Sequence, residues 1–452
     1  MFNSLLPKEE AFCSRMMFID VSIGGVGMIR QFGILCIALV VSTGAFAQYD
    51  DLTAMEVYGL GVNAYQEGDM QGFLAAMEEL DRRRPHQFAV QYNYAIALAA
   101  AGQEDAAMSR LAYVADLGLS IDLAADEDFS PLMDHPGYEA IAARFSQNME
   151  PAGISTIAHE FDELDLLVEG VAFHANHGLF VSTMRSGQIL RMGPDGTLEE
   201  FANGNAHPAM AGILGMAVDD GRGVLWATSS APEHYQGANL SLDPGSSLLG
   251  FDLETGLVRH AFELGEGNHF LGEVVISPDG VVYASDSASP VLYHVADDLL
   301  ALVAADFSDQ VGNLQGFDFG PNGQIYLADY LLGLYRLEPG SGTLVPLETA
   351  NGINPTGIDG LFYRDGDLIG IQNATNPKRI VRFELSDDGT AVTGLEVLVS
   401  NHPDWDEPTL GQIVGDELLY VGTSEWPDYG ADGTRREGTQ SDPIRIMSVD
   451  LD

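Results

Sequence analysis

The feature that most constrains the fold is a unit that recurs six times between residues 152 and 452. Each unit is a short apolar run, a turn rich in Gly, Asp, Asn or Pro, and a second apolar run. Such runs predict β-hairpins, and their spacing suits sheets of four strands each. The sequence therefore predicts an all-β six-bladed β-propeller. The first runs of the six units lie at 168–173, 214–218, 273–276, 315–319, 359–363 and 410–414.

One further strand candidate, at residues 156–161, has no hairpin partner near it in the sequence. We expect it to complete the last blade, because a ring closed in this way leaves no long edge strand unpaired.

Before the propeller, residues 48–150 show a different period. Gly61 and Ala95 occupy matching places in two copies of one pattern, and Gly68 and Gly102 occupy a second pair of matching places within these copies. A helix–turn–helix period of ~34 residues resembles tetratricopeptide repeats. The small residues would let paired helices approach closely, and the glycines would end the first helix of each pair. Such repeats serve either as a groove for a protein partner or as a packing domain.

Residues 1–47 predict an upstream extension and a signal peptide. Arg30 precedes an apolar run at 32–41, and a small-x-small cleavage site ends at Ala47. The run is too short for a membrane span, which needs ~20 residues. We therefore expect a periplasmic or secreted protein without a membrane anchor. Cys13 and Cys36 both precede this site, so the processed chain would have no disulfide, thiolate metal site or cysteine nucleophile.

The net charge of the chain limits the classes of partner that it can bind. The chain has 20 basic and 67 acidic residues, a formal net charge of −47. Nucleic acids and anionic membranes both require a basic surface, so neither is expected as a partner. A small-molecule substrate and a protein partner bound by the helical repeats are the candidates left open.

The first strand of each propeller blade lines the central channel, and one side chain at its start points at the axis. When the six units are aligned on their turns, three carboxylates and one amide converge there. Their mutual repulsion requires either protons or a cation. Oxygen ligands without His or Cys favour Ca²⁺, with Mg²⁺ as the alternative. A register slip of one residue would turn Glu273 off the axis. The six aligned residues are Glu169, Leu214, Glu273, Gln315, Asp359 and Leu410.

The residues that follow the second strands are expected to face the same opening. Arg185 is the cation among them and is a candidate for binding a substrate carboxylate. Asp286 and Asp329 are read more simply as turn-capping aspartates. His207 and His269 lie on the loops that enter the second and third units, and either is a candidate proton shuttle. Asn373 and Glu425 are the other two residues that follow second strands and are expected to face the opening.

Three short motifs resemble the SMP-30/gluconolactonase/LRE family: Glu169-Gly170, Gln315-Gly316 and Asp359-Gly360-Leu361. The resemblance implies a six-bladed, calcium-dependent hydrolase of a lactone or related ester, with Asp359 as a ligand and general base. The chain departs from the family at Val171, where proline is usual, and at Gln315, where asparagine is usual. It also has Gly272-Glu273 in place of an Asn-Asp pair.

Two functions follow as expectations. The first is a calcium-dependent hydrolase of a small lactone or ester. The alternative is a non-catalytic periplasmic binding or scaffold protein with a structural cation, whose helical repeats recruit a partner. A lyase or isomerase on the same scaffold is the third reading. For the hydrolase, the catalytic candidates are Asp359, His269 and Arg185, and the metal ligands are Glu169, Glu273, Gln315 and Asp359.

Overall fold

The computed structural model describes residues 49–242, 244–296, 299–302, 310–338 and 342–452. The predicted signal peptide with its cleavage site, together with Cys13 and Cys36, lies outside the described residues. Within these ranges, no helix combines the length and the apolar character that crossing a membrane requires. The chain divides into two compact units, one mostly helical and one that contains the β-sheets.

The helical unit consists of two helical hairpins followed by further helix. Thr53 opens the first helix with a capping box to Glu56, and Gly68 ends it with a left-handed φ of 76°. Gly102, with φ 72°, follows the third helix. Both glycines therefore end helices as predicted. The α-helices are α1 (Ala54–Glu67), α2 (Met70–Arg83), α3 (Phe88–Ala100), α4 (Glu104–Asp116) and α5 (Tyr138–Asn148), with a 3₁₀ turn at Glu127–Leu132.

Close packing of α1 against α2 depends on a missing side chain. A Cβ at Gly61 would lie 2.5 Å from the methyl group of Met77 and 3.1 Å from the Cβ of Ala76. Ala95, at the matching place in α3, is fully buried. The small residues that the repeat pattern singled out are thus positions of close helix contact.

The β-unit contains six antiparallel sheets, each built on four strands, which we number as blades 1 to 6 in chain order. The first strand of each blade contacts the first strands of the neighbouring blades, and these contacts form a closed cycle. We call these the inner strands. This topology confirms the six-bladed propeller. The inner strands are Val168–His174, Gly212–Asp219, Leu271–Ile276, Leu314–Phe319, Ile358–Arg364 and Gly411–Val414.

Second strands follow the inner strands through tight hairpins, as the sequence predicted. They span Gly178–Thr183, Val224–Ser230, Val282–Asp286, Ile325–Asp329, Asp367–Gln372 and Glu417–Val421. The third strands are Gln188–Met192, Ser247–Asp252, Val291–Ala296, Gly333–Leu337, Arg379–Leu385 and Ile444–Asp450.

The outer strands are Leu198–Ala202, Val258–Glu263, Leu299–Leu302, Leu344–Pro346 and Ala391–Ser400 in blades 1 to 5. In blade 6 the outer strand is Thr156–Phe161, which pairs antiparallel with Ile444–Asp450. The expectation that this early strand completes the last blade is confirmed. Two short strands, Ala152–Gly153 and Glu348–Thr349, extend the sheet of blade 5.

The core lies between the blades, because each sheet presents apolar faces to both neighbours. Phe180 of blade 1 packs with Met216 and Phe251 of blade 2 in one such layer. Tyr326 of blade 4 and Phe383 of blade 5 share another. Layers of this kind fill the ring and hold the inner strands at fixed positions around the axis.

The closing strand is expected to contribute strongly to stability through Phe161, which is 5% exposed and packs with Val421 and Ile444. Phe161→Ala should lower the free energy of unfolding by about 3–5 kcal/mol, because it opens a cavity where blades 6 and 1 meet. Ile157→Ala, on the same strand but 40% exposed, is the control and should have little effect. Urea unfolding measures both, and equal losses would contradict the role of the closing strand.

Candidate functional site

A β-bulge recurs at the start of the inner strands. In blades 1 to 5 the pairing with the second strand shifts at the same two residues. Bulges leave these residues without a ladder partner and redirect their side chains. We call this feature the axial bulge. Its residue pairs are Glu169-Gly170, Leu214-Gly215, Gly272-Glu273, Gln315-Gly316 and Asp359-Gly360.

In blades 1, 2 and 4, glycine in the second bulge position is required by the crowding of neighbouring inner strands. A Cβ on Gly170 would lie 2.7 Å from the carbonyl oxygen of Leu214 in the next blade. A Cβ on Gly215 would lie 2.7 Å from the carbonyl oxygen of Gly272. In the Glu169-Gly170 and Gln315-Gly316 motifs, the glycine is therefore fixed by a steric limit and the residue before it is a candidate ligand.

The register separates Glu273 from the other predicted ligands. Glu169, Gln315 and Asp359 occupy the first position of the axial bulge, whereas Glu273 occupies the second, after Gly272. Hydrogen bonds agree, because the N–H of Glu273 donates to Ser285 (3.2 Å) as the N–H of Gly170 donates to Ser182 (2.8 Å). Glu273 is thus one residue out of register, as the alignment had left open.

The carboxylates nevertheless share one electrostatic environment. Burial, followed by repulsion from Asp359, holds the pKa of Glu169 well above its usual value. Burial raises the pKa of Asp359 to about 7. Burial and repulsion from Asp359 and Asp318 raise the pKa of Glu273 to about 8. Glu169 and Asp359 are each only 8% exposed, so water compensates little of their charge.

Neutral donors hold the two most buried carboxylates. The indole N–H of Trp426 donates to Oε2 of Glu169. The Asn373 amide donates to Oδ2 of Asp359 (2.7 Å), and the Tyr330 hydroxyl donates to Oδ1 of Asn373 (2.8 Å). This chain fixes the orientation of the Asn373 amide. Oε1 of Glu169 and Oδ1 of Asp359 accept no hydrogen bond from the described ranges.

Gln315 is oriented by a bond within its own blade. Its amide Nε2 donates to Oδ1 of Asn313 (2.6 Å). Its Oε1 lies 3.8 Å from the position that a Cβ on Gly272 would take. The amide oxygen, which is the atom that could serve as a ligand, is therefore turned toward blade 3.

Glu407 is a fourth carboxylate of this cluster, and the sequence analysis did not find it. It lies two residues after Trp405 in the loop that enters blade 6, and its charge acts on Glu169, Asp359 and Tyr330. Lys378 forms an ion pair with it (2.9 Å). Burial and this group of carboxylates raise the pKa of the Tyr330 hydroxyl well above its usual value.

Deeper along the inner strand of blade 4, Asp318 lies below Gln315. Its two carboxylate oxygens accept the N–H groups of Phe319 and Tyr363, both at 2.7 Å. Burial raises its pKa to about 6. The charge of Asp318 is also one of the causes that raise the pKa of Glu273.

Two of the predicted catalytic residues, His269 and Arg185, form polar contacts with residues other than the predicted metal ligands. Nδ1 of His269 lies 2.6 Å from Oδ2 of Asp286, a fully buried carboxylate that also accepts three backbone N–H groups. Asp286 is thus the turn-capping aspartate that we expected, and so is Asp329, which accepts the N–H groups of Leu331 and Leu332. His269 is oriented by this carboxylate.

Arg185 is engaged by other groups of the propeller. Its guanidinium forms an ion pair with Asp165 (3.4 Å) and stacks on the ring of Tyr429, 5.1 Å from the ring centre. It also donates to the carbonyl oxygen of Gly433 (3.3 Å). A role for Arg185 in binding substrate stays a prediction.

The donor set fits a hard cation in its chemistry, since it contains carboxylate and amide oxygens and no sulfur. In the described part of the chain, however, no three His, Cys, Asp or Glu side chains already lie close enough to hold a metal ion together. The free oxygens of Glu169 and Asp359, with the amide oxygen of Gln315, are the atoms that could hold one.

No protein-family model matches the sequence, and no curated protein matches it. Several solved structures resemble the propeller. The PQQ-bound aldose sugar dehydrogenase of Streptomyces coelicolor is 16% identical, with a TM-score of 0.45 over 66% of this chain and 98% of that chain. A propeller of the gluconolactonase type is 15% identical, with a TM-score of 0.42 over 66% and 97%. A luciferin-regenerating enzyme is 12% identical, with a TM-score of 0.42 over 66% and 95%. The six blades rest on the strand pairing described above.

Adding a side chain at the axial bulge should disturb the site. A Cβ on Gly316 would press on the carbonyl oxygen of Asp359 and lie 2.5 Å from the nitrogen of Leu361. Gly316→Ala should therefore lower the free energy of unfolding by about 1–3 kcal/mol. Gly272→Ala is the matched control, since its Cβ would meet nothing nearer than 3.8 Å. Urea unfolding of both variants tests this, and equal stability would contradict the close approach.

The raised pKa values predict how stability depends on pH. Without divalent cations, the folded protein should keep protons on Glu273 up to a pKa of about 8 and on Asp359 up to a pKa of about 7, whereas the unfolded chain releases them near the ordinary pKa values of 4.5 and 3.8. Stability without divalent cations should therefore fall as the pH rises from about 4 to 8.

Part of that fall in stability will come from general repulsion among the many acidic side chains. Variants are therefore needed to separate the contribution of the buried carboxylates. Asp359→Asn should make the curve of unfolding free energy against pH shallower than in the wild type. Asp387→Asn, at an exposed turn of blade 5, should leave the slope unchanged. Chemical denaturation at a series of pH values, with chelator present, measures these slopes. Parallel curves for Asp359→Asn and the wild type would contradict the buried carboxylate cluster.

Proposed function

We propose that this protein is a hydrolase of a small lactone or ester and that it depends on a divalent cation, with Ca²⁺ as the preferred ion. One observation carries the proposal. Glu169 and Asp359 are both buried and lie near enough for the charge of Asp359 to raise the pKa of Glu169, and each keeps one carboxylate oxygen free of hydrogen bonds from the described ranges. Buried neighbours of this kind hold protons when no cation is present, and a cation bound by their free oxygens would compensate the charge of both carboxylates.

The chain supplies oxygen donors from three blades. Glu169 and Asp359 contribute carboxylates, and Gln315 contributes an amide oxygen in place of the asparagine that the family resemblance implies. Glu273, one residue out of register, adds negative potential through its effect on Glu169. A cation bound by these residues would polarise the carbonyl group of the substrate.

Asp359 is also the proposed general base. Asn373 and Tyr330 fix its carboxylate through one oxygen, which leaves the other to accept a proton from water. Burial raises the pKa of Asp359 to about 7 in the protein without a cation, and a bound cation would lower it and favour the ionised form that a base requires. His269 is the second candidate, because the bond to Asp286 fixes its ring and leaves Nε2 to exchange protons.

The deciding experiment combines calcium binding with turnover. The wild-type protein from Tyr49 onward should bind about one Ca²⁺ per chain and unfold at a higher temperature with Ca²⁺ than with chelator. It should hydrolyse members of a panel of small lactones and aryl esters. Asp359→Asn should lose calcium affinity and lower kcat at least about a hundredfold, the size of a general base contribution.

Asp387→Asn is the control for the loss of one surface carboxylate and should behave as the wild type. His269→Gln should lower kcat and leave calcium affinity unchanged if His269 transfers protons; an unchanged kcat assigns the base to Asp359 alone. A protein that binds no Ca²⁺ and gains no stability from it would contradict the proposal.

The alternative is a binding or scaffold protein, and the helical unit favours it. Helices α1 to α4 form a compact unit with buried side chains of its own, which include Phe73, Met77 and Leu111. Under this alternative, Ca²⁺ would stabilise the propeller and no lactone or ester would be turned over. Export from the cytoplasm, which both functions assume, rests on the sequence pattern of residues 28–48 alone.

A further inference from the structure

The side-chain carboxylate of Glu169 has one hydrogen-bond donor in the described ranges, the indole N–H of Trp426. Its backbone carbonyl is held separately by Thr409 Oγ1 (2.7 Å) and by the N–H of Leu410 (3.1 Å). The backbone of Glu169 is therefore fixed by blade 6, and its side-chain orientation is fixed by Trp426.

An unusual backbone turn places the indole of Trp426 next to Glu169. Glu425, which follows the second strand of blade 6, has a left-handed φ of 71°. Such a conformation is uncommon for a residue with a side chain and persists where neighbouring groups impose it. Here the half-buried carboxylate of Asp406 accepts the N–H groups of Ser424 and Glu425, both at 2.8 Å.

Arg435 ties both ends of this turn together. Its guanidinium donates to Glu425 Oε1 (3.1 Å) and to Asp428 Oδ2 (2.7 Å), on either side of Trp426. It lies over the ring of Tyr429, 4.6 Å from the ring centre. The ring of His234 packs edge-on against the indole at 4.9 Å. The indole is thus held on two sides and has little freedom to leave Glu169.

We propose that Trp426 is a positioning residue of the axial site: its indole holds Oε2 of Glu169 and keeps Oε1 available for a ligand. The inference adds a residue to the proposed site, and its prediction about Ca²⁺ binding rests on the proposed function. An indole nitrogen can only donate a hydrogen bond, so it supports the carboxylate as an acceptor without neutralising it. A lysine or arginine at this place would cancel the charge that a cation requires.

Trp405 provides a matched control. Its indole N–H donates to the hydroxyl of Tyr420 (3.1 Å) and not to a carboxylate. Trp405→Phe and Trp426→Phe therefore remove the same chemical group from the same blade, and only the second affects Glu169. The sequence contains one further tryptophan, Trp226, in blade 2.

The first test needs no cation. In the ¹H–¹⁵N spectrum of the ¹⁵N-labelled protein, each indole signal is assigned by its loss in the matching Trp→Phe variant. Glu169→Ala should shift the Trp426 signal and speed its exchange with solvent, while the Trp405 and Trp226 signals stay in place. Glu169→Gln, which keeps an acceptor, should shift it less. An unmoved Trp426 signal in Glu169→Ala would overturn the inference.

The second test measures Ca²⁺ binding by calorimetry. Trp426→Phe should weaken the affinity by about ten- to a hundredfold, the range expected for one hydrogen bond to a charged group, and Trp405→Phe should keep it. Equal affinities for Trp426→Phe and the wild type overturn the positioning role. A wild-type protein without calcium affinity overturns the proposed function instead, and the indole spectrum then decides whether Trp426 positions Glu169.

Discussion

The close approach of six inner strands around one axis is the constraint on which the rest of the propeller depends. At Gly170, Gly215 and Gly316 the neighbouring backbone leaves no room for a Cβ. A strand that is crowded in this way and still pairs with its own blade accommodates the mismatch as a bulge. The residue before the glycine is then turned out of the ladder. Closing the ring and presenting Glu169 and Asp359 at its centre are therefore consequences of the same packing.

The chain does little to neutralise the charge that it gathers there. It has 20 basic residues, yet in the described ranges Glu169 and Asp359 are held by an indole and an amide, which carry no charge. The lysine of this region, Lys378, pairs with Glu407. A basic side chain placed directly on Glu169 or Asp359 would relieve the repulsion, but it would also fill the space between them. Neutral donors fix the geometry and leave the charge in place.

The sequence was sufficient to predict the blades, because hairpins are local: period-two runs and Gly or Asp turns specify them within about ten residues. The closing strand was predictable from the need to leave no free edge. The alignment on the turns also located Glu169, Gln315 and Asp359. It could not decide the register of Glu273. A Gly-Glu pair and a Glu-Gly pair fit the same spacing from the turn, and they differ only in which of the two bulge positions the glutamate occupies.

The residues missed altogether reach the site through loops. Tyr330 directly follows Asp329, and Trp426 directly follows Glu425. Asp329 and Glu425 were both expected to face the opening. A local pattern could therefore have indicated them only to within one position. Glu407 lies in the entry loop of blade 6, where no periodicity specifies direction. Its electrostatic effect on Asp359, 48 positions earlier in the chain, depends on how the loop packs.

Protons and a cation are the two kinds of compensation available for the buried charge, and the hydrogen bonds favour them differently. Glu169 and Asp359 each accept a bond from a separate N–H donor. Bonds from N–H groups stabilise the ionised carboxylate, while burial opposes it. A protonated pair would satisfy burial and gain less from Trp426 and Asn373. A bound cation satisfies both, because it compensates the charge and leaves these donors with fully ionised acceptors.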